Sequence, residues 1–285
     1  MNIFHSIEGY GDWYSEVNLK NMSVGFVPTM GALHKGHLSL IEASKRDNDY
    51  TVCSIFVNPT QFNDKADYQK YPRTVDDDIE VLEKQCCDVL FAPATDEMHP
   101  ANRQDNQNAR INLGQISEVM EGEFRPGHFD GVVTIVAKLF DIIKPNKAYF
   151  GQKDFQQLAV IRCMVEELKI PVGIIGCPTV REDDGLALSS RNLLLSPAQR
   201  SEAPTIYQSL LKSKEKLRQQ NVNQIKQGLI DEINKSASLD VEYVEIADSH
   251  SLQPIDSWGS AESVVCCVAV HAGDVRLIDN IMLYN

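Results

Sequence analysis

Short apolar runs recur through residues 23–176, and stretches with helical spacing lie between them. The runs predict strands over residues 23–28, 50–57, 88–92, 147–150 and 172–176. Between them, apolar residues at helical spacing predict helices over residues 37–47, 75–86, 130–143 and 154–168. Strands that are apolar throughout are typical of a parallel sheet with both faces covered by helices. The pattern therefore predicts an α/β fold with such a sheet.

The pattern changes after Val180. The elements predicted beyond it are helices over residues 197–219 and 223–236, then strands over residues 240–248, 262–271 and 274–283. Pro204 interrupts the first of these helices, because proline lacks the N–H that a helix interior needs. Helices followed by a group of strands are typical of a separate α+β domain. We therefore predict two domains, residues 1–180 and residues 181–285, with the boundary near residues 176–186.

The charge balance disfavours nucleic acid as a partner. The 285 residues include 27 Lys and Arg against 40 Asp and Glu, for a formal net charge of −13. Binding to a phosphate backbone needs clustered cations, and the sequence contains no such cluster. A few local cations are nevertheless sufficient for a single nucleotide such as ATP.

Targeting signals and cysteines favour the cytoplasm. No apolar segment approaches the roughly 20 residues that a membrane span needs, and the first residues lack the basic start and apolar core of a secretion signal. Most of the seven cysteines lie in apolar runs such as TVCSIFV and SVVCCVAV. We expect them to be small buried hydrophobic residues in a reducing compartment, with no catalytic or metal-binding role.

His34, Lys35, Gly36 and His37 lie where a predicted strand passes into a predicted helix. In open α/β sheets, ligands bind beyond the carboxyl ends of the strands. A helix N-terminus offers unpaired N–H groups, and imidazoles can donate hydrogen bonds to phosphate oxygens, so phosphate binding is one interpretation. The alternatives are a metal site, which lacks a third ligand at recognisable spacing, and surface or N-cap histidines.

Two further stretches suit phosphate. Residues 186–192 (LALSSRN) bring two hydroxyls and the Arg191 guanidinium into one loop, although the same residues suit a helix N-cap. Lys153 follows a predicted strand and can act as a point charge for phosphate, whereas Asp154 beside it suits a helix N-cap. Neither stretch is decisive alone.

Polar residues near the other predicted strands are also candidates for binding substrate or metal. Gln61, in FVNPTQFN, carries a donor and an acceptor without charge, which suits a substrate hydroxyl or carboxylate, although the stretch alone reads as a turn. Asp76, Asp77 and Asp78 fall in the first turn of a predicted helix. We interpret these three as favourable partners of the helix dipole, with magnesium binding as the alternative.

Six stretches together resemble the pantothenate synthetase family, also called pantoate–β-alanine ligases. They are PTMGALHKGH (28–37), FVNPTQF (56–62), YPRT (71–74), RPGHFDGVVT (125–134), YFGQKDFQQ (149–157) and DGLALSSRN (184–192). The HxGH pattern occurs across nucleotidyl-transferring enzymes, whereas the FVNPTQF, GQKDFQQ and DGLALSSRN blocks are specific to this family. The resemblance implies a Rossmann-like nucleotide-binding domain with a smaller α+β lid domain, usually in a cytoplasmic homodimer.

The resemblance also implies an ATP-dependent ligase that makes pantothenate. ATP with Mg²⁺ would activate pantoate as pantoyl adenylate and release pyrophosphate, and the amine of β-alanine would then displace AMP. In such a reaction the protein mainly aligns the reactants and neutralises charge. No protein nucleophile is required, which agrees with the lack of a nucleophile–base signature in the sequence.

Site residues follow from the same resemblance. His37 is implied to be the proton donor, and His34, Lys153 and Arg191 complete the catalytic set. The residues implied to bind ATP are Met30, Gly31, Ala32, Leu33, His34, Lys35, Gly36, His37, Gly151, Gln152, Lys153, Asp154, Val180, Leu188, Ser189, Ser190 and Arg191. No protein ligand to a metal is implied.

The resemblance implies that uncharged side chains bind pantoate and β-alanine. Gln61 is implied to contact pantoate and then β-alanine, and Gln157 to contact pantoate. Two interpretations stay open for Arg125 and His128, in RPGHF: a position near the site, or a contact between the subunits of a dimer.

Three rival classes share part of this pattern. A nucleotidylyltransferase has HxGH, but its second site is expected to be basic, unlike Gln61 and Gln157. An aminoacyl-tRNA synthetase needs an RNA-binding surface, which the negative charge disfavours. A catalytically silent nucleotide-binding protein is disfavoured by the presence of His37, Lys153 and Arg191.

Overall fold

The computed structural model of the chain describes residues 1–17, 22–63, 65–100 and 111–284, with the backbone alone described at residues 65–67. Contacts divide the chain into two compact units. The first unit consists of Met1–Leu113, Arg125–Gln152 and Val160–Pro178, and the second of Gly114–Phe124, Lys153–Ala159 and Thr179–Asn285. The division into domains between residues 180 and 181 stays a prediction.

The first unit is built on a parallel sheet, which confirms the predicted fold class. Its strands are β1 (Asn2–Phe4), β2 (Val24–Thr29), β3 (Tyr50–Ile55), β4 (Val89–Phe91), β5 (Lys147–Gly151) and β6 (Gly173–Cys177). In the described residues these six strands form one sheet in the order β1-β4-β3-β2-β5-β6, and each neighbouring pair is parallel. Strands β2, β3 and β4 are buried almost throughout, which is why their sequences are continuously apolar.

The strand order creates a topological switch beside β2. The chain passes from β2 to β3 on one side and, after β4, returns to β5 on the other side of β2. In open α/β sheets, the crevice outside the carboxyl ends of the strands at such a switch is where ligands bind. The fold therefore favours a ligand site at the loop that carries His34 and His37.

Helices flank the strands along the chain. In chain order they are α1 (Ile7–Glu16), α2 (Lys35–Asp47), α3 (Lys65–Lys70), α4 (Val75–Lys84), α5 (Thr95–Met98), α6 (Glu121–Phe124), α7 (His128–Ile143), α8 (Phe155–Glu167), α9 (Pro197–Glu202), α10 (Thr205–Glu215) and α11 (Val222–Ile233). The four helices predicted between the strands are present as α2, α4, α7 and α8. None of the helices among the described residues combines the length and apolar character that crossing a membrane requires.

Two N-terminal elements were not predicted. Strand β1 has three residues, none of them buried, and it pairs with β4 at the edge of the sheet. Helix α1 buries only Tyr10 among its ten residues. Neither element has the repeated apolar positions that a sequence pattern can detect.

The second unit contains an antiparallel sheet, in the order β7 (Asp240–Asp248), β8 (Val264–Ala272) and β9 (Val275–Tyr284). Buried aliphatic residues of α10, α11 and the three strands form one hydrophobic core. The predicted helix over residues 197–219 is divided into α9 and α10, and Pro204 is the N-cap residue of α10. The expected break at this proline is therefore confirmed.

Gly131 sets how closely α7 approaches the turn that carries Gln61. A Cβ atom at this position would lie 2.5 Å from the carbonyl oxygen of Thr60 and 2.9 Å from the Cα of Gln61. The backbone oxygen of Gly131 also accepts a hydrogen bond from Asn58 Nδ2 at 3.2 Å. Glycine is the residue that allows this contact, because a side chain would displace the turn.

We predict that Gly131→Ala lowers the free energy of unfolding by about 1–3 kcal/mol, the usual cost of forcing an atom into a packed site. Urea unfolding followed by fluorescence or circular dichroism measures this change. Gly11→Ala is the matched control, because a Cβ at Gly11 in α1 would meet nothing within 4 Å. It is expected to stabilise the protein by up to about 1 kcal/mol. Equal effects of the two substitutions would contradict the packing argument.

Candidate active site

The loop after β2 turns through two residues with left-handed backbone. Gly31 has a φ of 81° and Ala32 a φ of 50°, a conformation that is unfavourable for alanine because of its Cβ. Thr29 Oγ1 accepts the Gly31 N–H at 3.2 Å. The Asp78 carboxylate accepts the Ala32 N–H at 2.9 Å and the Leu33 N–H at 2.7 Å. Side chains of the protein therefore accept three successive backbone N–H groups of this loop.

His34 and His37 form the start of α2. His34 is the N-cap residue, and its Nδ1 accepts the Gly36 N–H at 3.1 Å. In return, His37 Nδ1 accepts the His34 N–H at 3.3 Å. This arrangement is a capping box in which two imidazoles replace the usual hydroxyl and carboxylate. The N-cap interpretation therefore describes His34, and the Gly36 N–H is already paired rather than open to a ligand.

The caps fix the tautomers of both rings. A ring nitrogen that accepts a hydrogen bond carries no proton, so neutral His34 and His37 are each protonated at Nε2. The ring centroids lie 4.1 Å apart, with 35° between the planes. Two N–H donors are thereby carried side by side at the positive end of the α2 dipole. Such a pair suits the oxygens of a phosphate group.

Gln61 lies against Met30 in the first unit. Gln61 Nε2 donates to Met30 Sδ at 3.0 Å, and Gln61 Oε1 accepts from Asn58 Nδ2 at 3.4 Å. The backbone oxygen of Gln61 accepts the Nδ1–H of His128 at 2.8 Å, and Arg125 Nη1 donates to the other ring nitrogen of His128 at 3.3 Å. Asn58 and His128 therefore position the side chain and backbone of Gln61. Sequence reasoning assigned no role to Asn58 and no definite one to His128.

In the second unit, the segment from Val180 to Leu188 folds back on itself. The Leu188 N–H donates to the Val180 oxygen at 3.0 Å, and Arg181 and Ala187 form an antiparallel bridge. This hairpin brings two predicted ATP-binding residues, Val180 and Leu188, directly opposite each other.

Ser189 begins the 3₁₀-helix Ser190–Leu194. Its Oγ accepts the Arg191 N–H at 3.3 Å, so it acts as the N-cap residue. Ser190 is buried and Arg191 is half-buried. Of the two hydroxyls that the sequence suggested for phosphate, the one of Ser189 therefore caps this 3₁₀-helix.

Strand β9 holds two predicted site segments of the second unit. The Arg181 guanidinium donates to both carboxylate oxygens of Asp279, at 2.6 Å and 2.9 Å, and lies over the Tyr207 ring with Cζ 3.4 Å from the centroid. Asn280 Nδ2 donates to the backbone oxygen of Lys153 at 2.9 Å. Adjacent residues of one strand therefore fix the Val180–Leu188 hairpin and the segment of Lys153.

The remaining predicted residues lie near the end of β5. Gly151 and Gln152 belong to the first unit, whereas Lys153, Asp154 and Gln157 belong to the second. The Lys153 side chain is 18% exposed, and its Nζ lies 3.8 Å from Asp154 Oδ1. Gln157 is half-buried on α8. Lysine, aspartate and glutamine are thus grouped within five positions of the chain.

A network of charged residues in the second unit was not predicted. Arg276 binds both carboxylate oxygens of Glu121 at 2.7 Å and one oxygen of Glu242 at 2.6 Å. The Tyr243 hydroxyl donates to Glu121 at 2.9 Å, and burial, together with that nearby charge, raises the pKa of Tyr243 well above its ordinary value. Gln156 accepts the Glu121 N–H at 2.9 Å. Glu121 and Arg276 are 155 positions apart, so no local sequence signal connects them.

Among the described residues, neither the cysteines nor any group of potential metal ligands forms a candidate site. The buried cysteines are Cys53, Cys87, Cys177, Cys266 and Cys267, while Cys163 is half-buried and Cys86 exposed. Burial raises the pKa of Cys87 to about 11 and that of Cys53 well above its ordinary value. A thiol that stays protonated is a poor nucleophile. In this part of the chain no three His, Cys, Asp or Glu side chains are grouped to hold a metal ion.

Comparison with known proteins identifies relatives along the whole chain. A model of the family described as pantoate-beta-alanine ligase matches residues 2–282. Pantothenate synthetase of Bacteroides fragilis (strain YCH46) is 48% identical over 281 residues, covering 99% of this chain and 98% of that protein. The crystal structure of pantothenate synthetase from Thermus thermophilus has a TM-score of 0.90 and 40% identity, with all of both chains covered. Pantoate-beta-alanine ligase from Francisella tularensis, complexed with beta-gamma ATP and beta-alanine, has a TM-score of 0.80 and 37% identity, covering 99% of this chain and 98% of that one.

We predict that Asp279→Asn lowers the free energy of unfolding by about 1.5–3 kcal/mol, the range for losing a hydrogen bond to a charged group. The amide nitrogen cannot accept from Arg181, so hydrogen exchange of residues 180–188 is also expected to become faster. Asp274→Asn, at an exposed position of the β8–β9 turn, is the control and is expected to change stability by less than about 0.5 kcal/mol. If residues 180–188 exchange at the same rate in both variants, Asp279 does not hold the hairpin.

Proposed function

Because the chain belongs to the pantoate-β-alanine ligase family, we propose that it joins pantoate to β-alanine, using ATP, to form pantothenate. The family match over residues 2–282 is the observation that carries this proposal. It is supported by a relative of 37% identity whose crystal structure is a complex with beta-gamma ATP and beta-alanine. The capped histidine pair after β2, at the topological switch of the sheet, is a chemically suitable place for nucleotide phosphates.

The reaction has two steps. The carboxylate of pantoate attacks the α-phosphate of ATP, which enters with Mg²⁺, and the bond to the leaving pyrophosphate breaks. The amine of β-alanine then attacks the acyl carbon of pantoyl adenylate and displaces AMP. Neither step needs a protein nucleophile, so the protein contributes alignment and charge stabilisation.

His34 and His37 stabilise the departing pyrophosphate in this proposal. Each ring holds its proton at Nε2 because Nδ1 accepts a backbone N–H. A donor fixed in this way needs no reorganisation as negative charge builds on the leaving group. His37, the third residue of α2 and the predicted proton donor, keeps its Nε2 proton and donates it to the departing pyrophosphate as a hydrogen bond.

Lys153 and Arg191 supply positive charge to the phosphates. Lys153 provides a point charge on a side chain that is only 18% exposed, where water screens it less than at a free surface. Arg191 provides a planar fork of donors that matches phosphate oxygens. The other proposed contacts with ATP come from Met30, Gly31, Ala32, Leu33, Lys35, Gly36, Gly151, Gln152, Asp154, Val180, Leu188, Ser189 and Ser190.

Gln61 and Gln157 bind the acid substrates. Gln61 has an uncharged amide next to the Met30 thioether, a combination that suits a molecule with a hydroxyl, a carboxylate and apolar methyl groups. Its position is fixed by Asn58 and by the backbone contact with His128. We further propose that the protein is a homodimer in the cytoplasm, and sedimentation equilibrium of the purified protein tests the dimer.

The defining experiment measures pyrophosphate release from ATP-Mg with pantoate alone, with β-alanine alone, and with both. Steady release is expected only with both substrates. Pantoate-dependent exchange of labelled pyrophosphate into ATP without β-alanine is expected to reveal the adenylate. No release in any mixture from folded protein would refute the proposal.

For the histidines, we predict that His37→Gln and His34→Asn reduce pyrophosphate exchange by about 10²–10³-fold, as is typical when one preorganised donor is lost. Glutamine at the third position and asparagine at the N-cap retain acceptors for the two backbone N–H groups, so α2 keeps its start. A loss of the same order is expected for Lys153→Ala. His250→Gln, on an exposed loop, is the control. Near-normal exchange by folded His37→Gln would remove the role assigned to that ring.

For Gln61, we predict that Gln61→Ala raises the KM for pantoate by about 3- to 10-fold, the equivalent of one lost hydrogen bond, and leaves the KM for ATP nearly unchanged. Initial rates with each substrate varied in turn measure both constants. Equal increases in the two constants would place the acid-binding pocket elsewhere.

A further inference from the structure

We infer that Asp78 is a positioning residue for the adenylation step, and that its carboxylate fills the backbone turn at residues 31–33 and thereby holds the loop that carries His34 and His37. This inference rests on the proposed function. Asp78 acts through the loop, while the groups that meet ATP are the histidines.

The turn has the shape of an anion-binding site. Successive N–H groups that converge from a left-handed turn form a concavity that attracts an anion. Here, Gly31 and Ala32 are both left-handed, and the N–H groups of Ala32 and Leu33 lie 2.9 Å and 2.7 Å from the two oxygens of Asp78. The anion in this concavity is therefore the protein's own carboxylate.

Asp78 is itself firmly held. It is 2% exposed, so its charge needs partners to offset the lost hydration. Thr74, the N-cap residue of α4, donates its hydroxyl to Asp78 Oδ2 at 3.3 Å, and the Asp78 N–H donates to the Thr74 oxygen at 2.8 Å. With the two loop N–H groups, three donors meet the carboxylate in the first turn of α4, where the helix dipole also favours negative charge.

The position of the loop controls the position of the histidines. His34 follows Leu33 directly, and its ring caps α2. If the carboxylate is lost, the left-handed Ala32 is free to relax and the N-cap moves with it. Misplacing catalytic groups by about 1 Å can reduce a rate about 10²-fold, so a small shift of this loop is sufficient to affect adenylation.

Asp78→Asn tests the inference, because the amide has one acceptor oxygen where the carboxylate has two. We expect kcat for pantoate-dependent pyrophosphate exchange to fall by about 10- to 100-fold, with the KM values for ATP and pantoate changed less than the rate. Deuterium uptake by the peptide covering residues 30–38 is expected to rise. Asp77→Asn is the matched control, since Asp77 is an exposed residue of the same helical turn.

A second substitution separates positioning from general stability. Glycine adopts left-handed backbone without the steric cost that alanine has. Adding Ala32→Gly to Asp78→Asn is therefore expected to recover part of the lost kcat, by up to about 10-fold. Because both substitutions also change the free energy of unfolding, the rescue is measured as kcat per folded molecule, which a residue that merely stabilises the fold leaves unchanged.

Either of two results overturns the inference. One is kcat of folded Asp78→Asn within about twofold of the original protein, since a misplaced loop is expected to cost far more. The other is a loss of kcat that Ala32→Gly does not reduce. If Asp78→Asn does not fold, Thr74→Val is used instead, because this substitution removes one hydrogen-bond donor to the Asp78 carboxylate. The same two outcomes then apply, with smaller changes in kcat. If the unmodified protein shows no exchange, the proposed function fails, and the deuterium uptake of residues 30–38 alone decides the role of Asp78.

Discussion

A chain that turns through two consecutive left-handed residues presents several N–H groups to the same side, and these groups need acceptors. In this protein the need arises at the carboxyl end of β2, where the sheet topology favours a ligand. Thr29 and Asp78 meet the first three N–H groups, and His34 meets the N–H of Gly36 two residues into α2. The tautomers of the two imidazoles follow from the bond to His34 and from the one that His37 accepts from the His34 N–H. The chemistry proposed for the first unit depends on these hydrogen bonds.

In the second unit, strand β9 fixes the segments that carry predicted site residues. Asp279 and Asn280 are neighbours in sequence, and on this strand they hold two different segments, one through the Arg181 side chain and the other through the backbone of Lys153. In both units, the residues proposed to contact substrate are held in place by residues for which no contact with substrate is proposed. The supporting residues are buried and contribute hydrogen-bond geometry, as Asp78 and Asp279 do.

Sequence patterns predicted the architecture well and the support of the site poorly. The buried strands were detectable because they are apolar throughout, whereas β1 and α1 bury too little surface to leave a pattern. The HKGH motif marked the candidate site, and its N-cap and phosphate-binding interpretations are compatible, because each Nδ1 accepts a backbone N–H and each Nε2 keeps a proton that it can donate. Asp78 was assigned to the helix dipole, since nothing local shows that its partners lie 45 and 46 positions earlier. The supporting contacts of Asn58 and His128 were missed for the same reason, because they exist only after the chain has folded.

The capped loop also determines when conformational entropy is lost. Because its acceptors belong to the same chain, its hydrogen bonds form when the protein folds, and a nucleotide that arrives later does not have to order them. Binding energy that would otherwise be used for ordering is then available for the substrate. Contacts made by a carboxylate that is 2% exposed are also screened little by dissolved ions. Changes in ionic strength therefore act on the encounter with ATP, while the shape of the loop at residues 31–33 stays constant.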